Sequence, residues 1–142
     1  MNRRDMIKTA AATLLVAATA SQAEATTAHY NRKEMKPKDP KNLTKGEQKH
    51  TPEMTLGGKD AQGYRLVEIT VGSNGVVHPS TKGHWIDTIE LYADDKLVGK
   101  TTLEGEISRG AAAFRVKLDG VKKLTAKAAC NLHGVWSSTK SL

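Results

Sequence analysis

Apolar and polar residues alternate in several segments of the chain from residue 65 onward. The clearest alternation occurs at 65–71 and 113–118, where every second side chain is apolar. A period of two places one row of side chains in a core and the other row in solvent, as in a half-buried β-strand. Residues 84–92, 96–103 and 124–130 have the same character. The pattern predicts that these five segments are strands.

Dipeptides that favour tight turns lie between or beside these segments. They occur at Gly57-Gly58, Asn74-Gly75, Asp94-Asp95, Glu104-Gly105 and Asp119-Gly120. Their spacing is typical of short antiparallel strands that follow one another along the chain. No stretch between residues 26 and 142 has the 3.6-residue apolar period of an amphipathic helix. We therefore predict an all-β fold, an antiparallel β-sandwich.

Residues 1–25 have the pattern of a cleaved signal peptide. Arg3, Arg4 and Lys8 precede an apolar run of about a dozen residues, and small residues around Ala25 form a cleavage site. The run is shorter than the roughly 20 residues of a membrane-spanning helix, so no stable membrane insertion is expected after cleavage. The paired arginines resemble the twin-arginine class of export signals, which implies a folded periplasmic protein. A general secretory signal that carries two arginines is the alternative.

Residues 26–46 form a basic N-terminal arm ahead of the predicted domain at 47–142. The arm is almost without apolar residues and contains Pro37 and Pro40, so it is expected to be extended or mobile. It is either a solvated linker or a docking segment for an acidic electron-transfer partner. The whole chain has a net charge of +7, which attracts anions. Nucleic-acid binding is not expected, because the chain carries an export signal and few aromatic residues.

Histidine and cysteine residues provide the candidate metal ligands. The 142 residues contain one cysteine and five histidines, which excludes intramolecular disulfides and sites built from paired cysteines. His78 and His84 flank a short loop, His133 follows Cys130 by three residues, and His50 lies where the arm meets the domain. Each of these residues alone is typical of a solvated histidine or a buried thiol. Together, at strand ends, they indicate one site for iron, copper or zinc.

Four segments resemble the superoxide reductases of the desulfoferrodoxin and neelaredoxin family, over roughly residues 47–138. They are Lys49-His50-x-Pro52, His78-Pro79-x4-His84, the strand Trp85-Ile-Asp-Thr-Ile-Glu-Leu91, and Cys130-Asn-Leu-His133-Gly134-x-Trp136. The resemblance implies an immunoglobulin-like sandwich of about seven strands that binds one mononuclear iron. The implied ligands are four imidazoles and one thiolate, from His50, His78, His84, His133 and Cys130. His29, in the arm, matches no ligand position.

The implied activity is the one-electron reduction of superoxide to hydrogen peroxide, with the iron alternating between Fe²⁺ and Fe³⁺. Lys49 occupies the position of the lysine that attracts superoxide in this family. The Cys130 thiolate pushes electron density toward the metal and favours electron donation. Backbone N–H groups of residues 131–133 are expected to donate hydrogen bonds to the sulfur. Lys49 and Cys130 are therefore the predicted catalytic residues.

The sequence departs from the family pattern in two places. The family typically has Glu-Lys-His, whereas this chain has Glu47-Gln48-Lys49-His50, so the closing role of the family's glutamate is not carried over. Many desulfoferrodoxins also have an N-terminal iron domain with four cysteines, which a single cysteine cannot form. Electrons are therefore expected from an external donor, a small redox protein. The sequence does not determine the oligomeric state, and a homo-oligomer is one of the options.

Two other functions fit a β-sandwich with these residues. One is a cupredoxin-like periplasmic electron carrier, which uses histidine and cysteine but usually also a methionine after the cysteine. Met54 is the last methionine, so such a ligand cannot follow Cys130. The other is a binding module without metal, which would show no visible absorption after purification.

Overall fold

Residues 30–142, as described by a computed structural model, form two antiparallel sheets packed face to face. The strand order is β1-β2-β5 in one sheet and β4-β3-β6-β7 in the other. The predicted immunoglobulin-like sandwich of seven strands is confirmed for this part of the chain. The elements are α1 Lys45–His50, β1 Pro52–Lys59, β2 Tyr64–Val71, β3 Ile86–Ala93, β4 Lys96–Thr102, β5 Ala111–Lys117, β6 Lys123–Cys130 and β7 Gly134–Ser141.

The five strands predicted from alternation correspond to β2 through β6, with small shifts at their ends. The largest shift is in β3, which begins at Ile86 and leaves His84 in the preceding loop. The turn predicted at Gly57-Gly58 is wrong, because both glycines lie inside β1. The pairing of β1 with β2 shifts register between Leu56 and Lys59, an irregularity of the kind that glycine accommodates easily.

The core lies between the two sheets and ends at the only thiol. On β6 the inward row is Leu124, Ala126, Ala128 and Cys130, and none of these four side chains is exposed. They belong to one core cluster with Ile69 of the facing sheet and with Ile89 and Leu91 of the adjacent strand β3. Burial of a large aliphatic side chain contributes about 1.5–3 kcal/mol to folding. The packing that stabilises the sandwich therefore also fixes Cys130 at the end of a rigid strand.

The described part of the arm lies against the domain. Lys33 O accepts from Val135 N and Val135 O accepts from Met35 N, each at 2.8 Å, so the arm runs parallel to the start of β7. The helix α1 follows the arm and was not predicted. It is six residues long and begins with a capping box between Thr44 and Glu47.

Two parts of the sequence prediction lie outside the described residues: the signal peptide at 1–25, and His29. In the described part of the chain, no helix is long and apolar enough to cross a membrane.

Candidate metal centre

The loop between β2 and β3 contributes two imidazoles. Nδ1 of His78 donates to the Pro79 carbonyl at 2.7 Å, and because a carbonyl only accepts, Nε2 of His78 is left as an acceptor. This Nε2 is buried and has no hydrogen-bond partner among the described residues. A buried polar atom without a partner costs about 1–3 kcal/mol. A metal ion at this position would remove that cost.

The helix α1 contributes His50, its last residue. Nδ1 of His50 lies 2.7 Å from the Gly46 carbonyl one helical turn earlier, which again leaves Nε2 as an acceptor with a lone pair that can bind a metal. The ring of Trp136 stacks on the His50 ring with the centroids 5.3 Å apart. Trp136 Nε1 also donates to the His133 carbonyl at 3.1 Å. One tryptophan therefore orients two of the predicted ligands.

The last residue of β6 and the turn that follows it contribute Cys130 and His133. Backbone N–H groups of His133 and Leu132 donate to the sulfur, as the sequence predicted. Burial raises the pKa of the Cys130 thiol, and these two hydrogen bonds act in the opposite direction. The turn closes at Gly134, where φ is +86° and a Cβ atom would lie 2.4 Å from Lys33 O. Only glycine allows the arm to approach the turn this closely.

The predicted ligands converge on one point. The donor atoms of His50, His78, His84 and Cys130 all lie within 4.8 Å of one another. Nδ1 of His133 lies 3.2 Å from Nε2 of His50 and from Nε2 of His84, and 3.6 Å from the sulfur. A metal–imidazole bond of about 2.0–2.1 Å, as known for zinc, places neighbouring ligand atoms roughly 3 Å apart. The five side chains therefore fit a single metal ion.

Three of the imidazoles, those of His50, His78 and His84, are held in the neutral form that binds metals. Burial is the main cause that lowers the pKa of His50 and His84, and it lowers the pKa of His78 to about 3. The neighbouring imidazoles add to these shifts. Near neutral pH the nitrogen lone pairs are therefore available without loss of a proton. Imidazole and thiolate together suit iron, copper or zinc, and the donor set fits the predicted iron.

A cleft of about 610 Å³ opens above this cluster. Lys49 is half-buried in its wall, and its charge contributes, after burial and the other imidazoles, to the lowered pKa of His50 and His84. Lys33 of the arm adds a second positive charge. The remaining lining combines polar and apolar groups: Asn31, Met35, Thr44, Gly46, Glu47, His50, His84, Leu132, His133 and Trp136. The cleft therefore offers a small anion a positively charged path to the ligands.

Glu47 and Gln48 do not close the cleft. The two Glu47 carboxylate oxygens accept from the backbone N–H groups of Lys38 and Thr44, each at 2.9 Å, and the side chain is 8% exposed. These bonds lower the pKa of Glu47, the bond from Lys38 most strongly. Gln48 is absent from the lining, and its Nε2 donates to Leu43 O at 3.3 Å. Glu47 therefore stabilises the arm and the helix.

Glu47→Ala is expected to lower the melting temperature and to leave the visible spectrum of the oxidised metal site unchanged. The folded-state pKa of Glu47 is lowered, so its stabilising effect is present above the ordinary pKa and is lost as the pH falls through the lowered value. The melting difference from wild type should therefore shrink in acid. Calorimetry and absorption spectroscopy measure both effects, and a strongly shifted spectrum would show that the carboxylate reaches the metal.

Asn131 connects the two ligand-bearing loops. Its side chain accepts from Trp85 N and donates to Gly83 O, each at 2.9 Å, and the residue is buried. The sequence indicated Asn131 only as part of the turn around the sulfur. An asparagine in such a turn often forms hydrogen bonds from its side chain to the backbone. Which backbone groups it bonds to, here those of Trp85 and Gly83, depends on the tertiary fold.

Comparison with known proteins identifies similar sequences and structures. A family model described as Desulfoferrodoxin matches residues 42–139. The Desulfoferrodoxin of Nitratidesulfovibrio vulgaris is 40% identical over 91 residues, which are 64% of this chain and 62% of that protein. The Desulfoferrodoxin homolog of Archaeoglobus fulgidus is 33% identical over 73% of both chains. The chain thus spans less than two thirds of the N. vulgaris relative.

Solved structures with the same fold include two superoxide reductases. The Superoxide reductase (1Fe-SOR) from Giardia intestinalis has a TM-score of 0.59 and 35% identity, and the match covers 67% of this chain and 99% of that chain. The Superoxide reductase (Neelaredoxin) from Ignicoccus hospitalis has a TM-score of 0.55 and 29% identity, and the match covers 66% of this chain and 79% of that chain.

Proposed function

The chain belongs to the desulfoferrodoxin family, and on this basis we propose that it is a superoxide reductase with one mononuclear iron centre. The observation that carries the proposal is the buried, unpartnered Nε2 of His78 beside four further metal-binding side chains. Relatives named superoxide reductase support the reaction, including one from Pyrococcus abyssi that is 34% identical over 85 residues.

The residues that would hold the iron are His50, His78, His84, His133 and Cys130. Bound iron would alternate between Fe²⁺ and Fe³⁺ and supply the single electron that converts superoxide, with two protons, to hydrogen peroxide. The Cys130 thiolate favours electron donation, and its two backbone hydrogen bonds moderate the charge on the sulfur. Trp136 and Asn131 keep the ligand loops in place, so little reorganisation is needed during the reaction.

Lys49 and Lys33 would guide the substrate. Superoxide is a small anion, and a cleft lined with positive charge raises association rates by about 10 to 10³. The two lysines come from different segments that line the cleft, Lys49 from α1 and Lys33 from the arm. Leu132 and Trp136 add apolar surface to the lining of the same cleft. Low polarity there strengthens the field of the lysines at the ligands.

Lys49→Ala is expected to slow the second-order reaction with superoxide by about tenfold or more, because it removes a positive charge that acts on His50 and His84. Raising the salt concentration should reduce the difference between wild type and variant. The measurement is the decay of pulse-generated superoxide in the presence of each protein. Lys45→Ala is the matched control, since Lys45 lies on the same helix but outside the cleft lining. Equal rates for wild type and Lys49→Ala would contradict the guiding role.

Electrons would come from an external donor, a small redox protein. A single cysteine among these 142 residues cannot build a cysteine-ligated iron site, and His133 and Leu132 are exposed residues of the cleft lining that a donor could contact. The positive charge around the cleft favours an acidic donor. Reduction of the oxidised centre by such a donor should slow as salt rises, and a rate that does not depend on salt would contradict an acidic partner.

The two alternative functions have less support. Met54 lies in β1, packs against the hydrophobic core and does not line the cleft above the candidate ligands, so it offers no copper ligand there. A metal-free binding module would leave the buried His78 Nε2 without a partner.

Export to the periplasm by the twin-arginine route is proposed from the sequence of residues 1–25. Its support is the Arg3-Arg4 pair, the short apolar run and the small-residue cleavage site. This route carries folded proteins, so the metal would be inserted before export. In cells that express the full chain, Arg3→Lys with Arg4→Lys should retain the protein in the cytoplasm. Continued export of this double variant would favour the general secretory route.

A further inference from the structure

An arm residue forms an ion pair with a buried carboxylate behind the metal-binding turn. Arg32 donates to both carboxylate oxygens of Asp87, with Nη1 3.2 Å from Oδ2 and Nη2 in contact with Oδ1. Asp87 is 5% exposed, whereas the Arg32 side chain is 47% exposed. A third bond comes from Thr88 Oγ1 at 2.8 Å. The carboxylate is therefore nearly enclosed, and its cationic partner comes from the arm.

The backbone places this carboxylate close to the metal-binding sulfur. On β3, Ile86 pairs with Cys130 and Thr88 pairs with Ala129, so Asp87 is an extra residue in a bulge beside the thiol. Bulges redirect a side chain and are common next to active sites. Because Ile86 lies directly opposite Cys130, the next residue, Asp87, places its carboxylate near the sulfur, where charges interact more strongly than in water.

The arm holds Arg32 in this position through bonds to the same turn. Asn31 N donates to Asn131 O at 2.8 Å, and Asn31 Nδ2 donates to Leu132 O at 2.9 Å. On the other side, Lys33 O accepts from Val135 N at 2.8 Å. The arginine thus lies between two residues that are bonded to the ligand-bearing turn. The matched family segment begins at residue 42, so this part of the arm lies outside it.

We propose that Arg32 and Asp87 are positioning residues that set the reduction potential of the metal centre, an inference that rests on the proposed iron site. A negative charge near iron stabilises Fe³⁺ over Fe²⁺ and lowers the potential. The guanidinium of Arg32 offsets the charge of Asp87 and keeps the potential higher. The basic arm is therefore part of the metal centre, and its removal would make the iron harder for a donor to reduce.

The test is a double-mutant cycle on the iron-loaded full-length protein, with the reduction potential as the readout. Arg32→Gln leaves Asp87 uncompensated and should favour Fe³⁺ about tenfold, a downward shift of about 59 mV for one electron. Asp87→Asn leaves the arginine charge and should shift the potential upward. The double variant lacks both charges and should return close to wild type. Arg32→Lys keeps the charge and should also stay close to wild type, although it loses the paired bonds.

Arg115→Gln is the matched control, because it breaks the Arg115–Asp60 ion pair at 3.7 Å. Arg115 lies on β5, in the sheet that does not contain Asp87. This substitution should not change the potential. A purely structural arm would make Arg32→Gln and Asp87→Asn shift the potential in the same direction, or not at all, and either result would overturn the proposal. If the iron centre forms but its reduction potential is the same in all variants of the cycle, this inference alone is overturned. Failure of the wild-type protein to bind iron would overturn the proposed function as well.

Discussion

Cys130→Ser is expected to abolish the sulfur-to-iron charge-transfer band and to reduce the rate of superoxide reduction by more than about 100-fold. Loss of an outer partner of a metal ligand typically costs 10–100-fold, and loss of the thiolate itself should cost more. A serine oxygen lacks the polarisable sulfur orbitals that donate through the metal. It would also poorly fill a position whose side chain is fully buried at the end of β6.

Absorption spectroscopy and superoxide decay measure both effects of this substitution. His29→Ala is the control, because His29 lies in the arm and matches no ligand position. It should change neither the band nor the rate. A Cys130→Ser protein that keeps its visible band would show that the thiolate assignment is wrong.

Removal of the iron is expected to lower the melting temperature by more than about 10 °C. A ligand that binds only the folded state stabilises it by about 4 kcal/mol when its free concentration is a thousand times Kd. A domain of about 100 residues changes its melting temperature by roughly 4–8 °C for each kcal/mol. The ligands come from α1, the loop after β2 and the turn after β6, so the metal joins three separate segments. It also gives the buried His78 Nε2 a partner.

Calorimetry of the metal-free and iron-loaded forms measures this stabilisation. The Cys130→Ser variant provides a comparison and should show a smaller difference between its two forms. If the metal-free and iron-loaded preparations of the wild-type protein have equal melting temperatures, the metal does not stabilise the folded state. That result would favour a sandwich without a metal site.

The strands with strict alternation could be predicted from the sequence, whereas β1 and β7 could not. In β1, Gly57-Gly58 is a strong turn signal, but the pair lies in an irregular stretch of the β1–β2 ladder. In β7, Val135 and Trp136 are the large apolar residues, and the five residues after them are polar and mostly exposed. Neither strand therefore has a periodic apolar pattern over its length.

The helix α1 has no apolar period because it buries Glu47 and His50, which are polar. Thr44 followed three residues later by Glu47 is nevertheless the pattern of a capping box. This signal was present in the sequence and marks the start of the helix. The capping box also explains why Glu47 lies one residue before position 48, where the family pattern has its glutamate.

The ligand set could be predicted because its motifs are local, such as Cys130 and His133 in one turn. The supporting contacts could not, since they join residues that are distant in sequence. Asn131 bonds to a backbone group 46 residues away, and Arg32 pairs with a carboxylate 55 residues away. Such pairs depend on which strands become neighbours, and in the sequence Arg32 is one basic residue among many in the arm.

The most direct test of the central claim is the product stoichiometry of the reduced, iron-loaded protein in excess over pulse-generated superoxide. A reductase consumes one electron and two protons for each superoxide, so each superoxide should oxidise one iron centre and yield one hydrogen peroxide. No oxygen should be released. If half as much hydrogen peroxide appears, together with oxygen, the protein dismutates superoxide and does not reduce it; if no iron is oxidised, the five side chains do not form a redox centre.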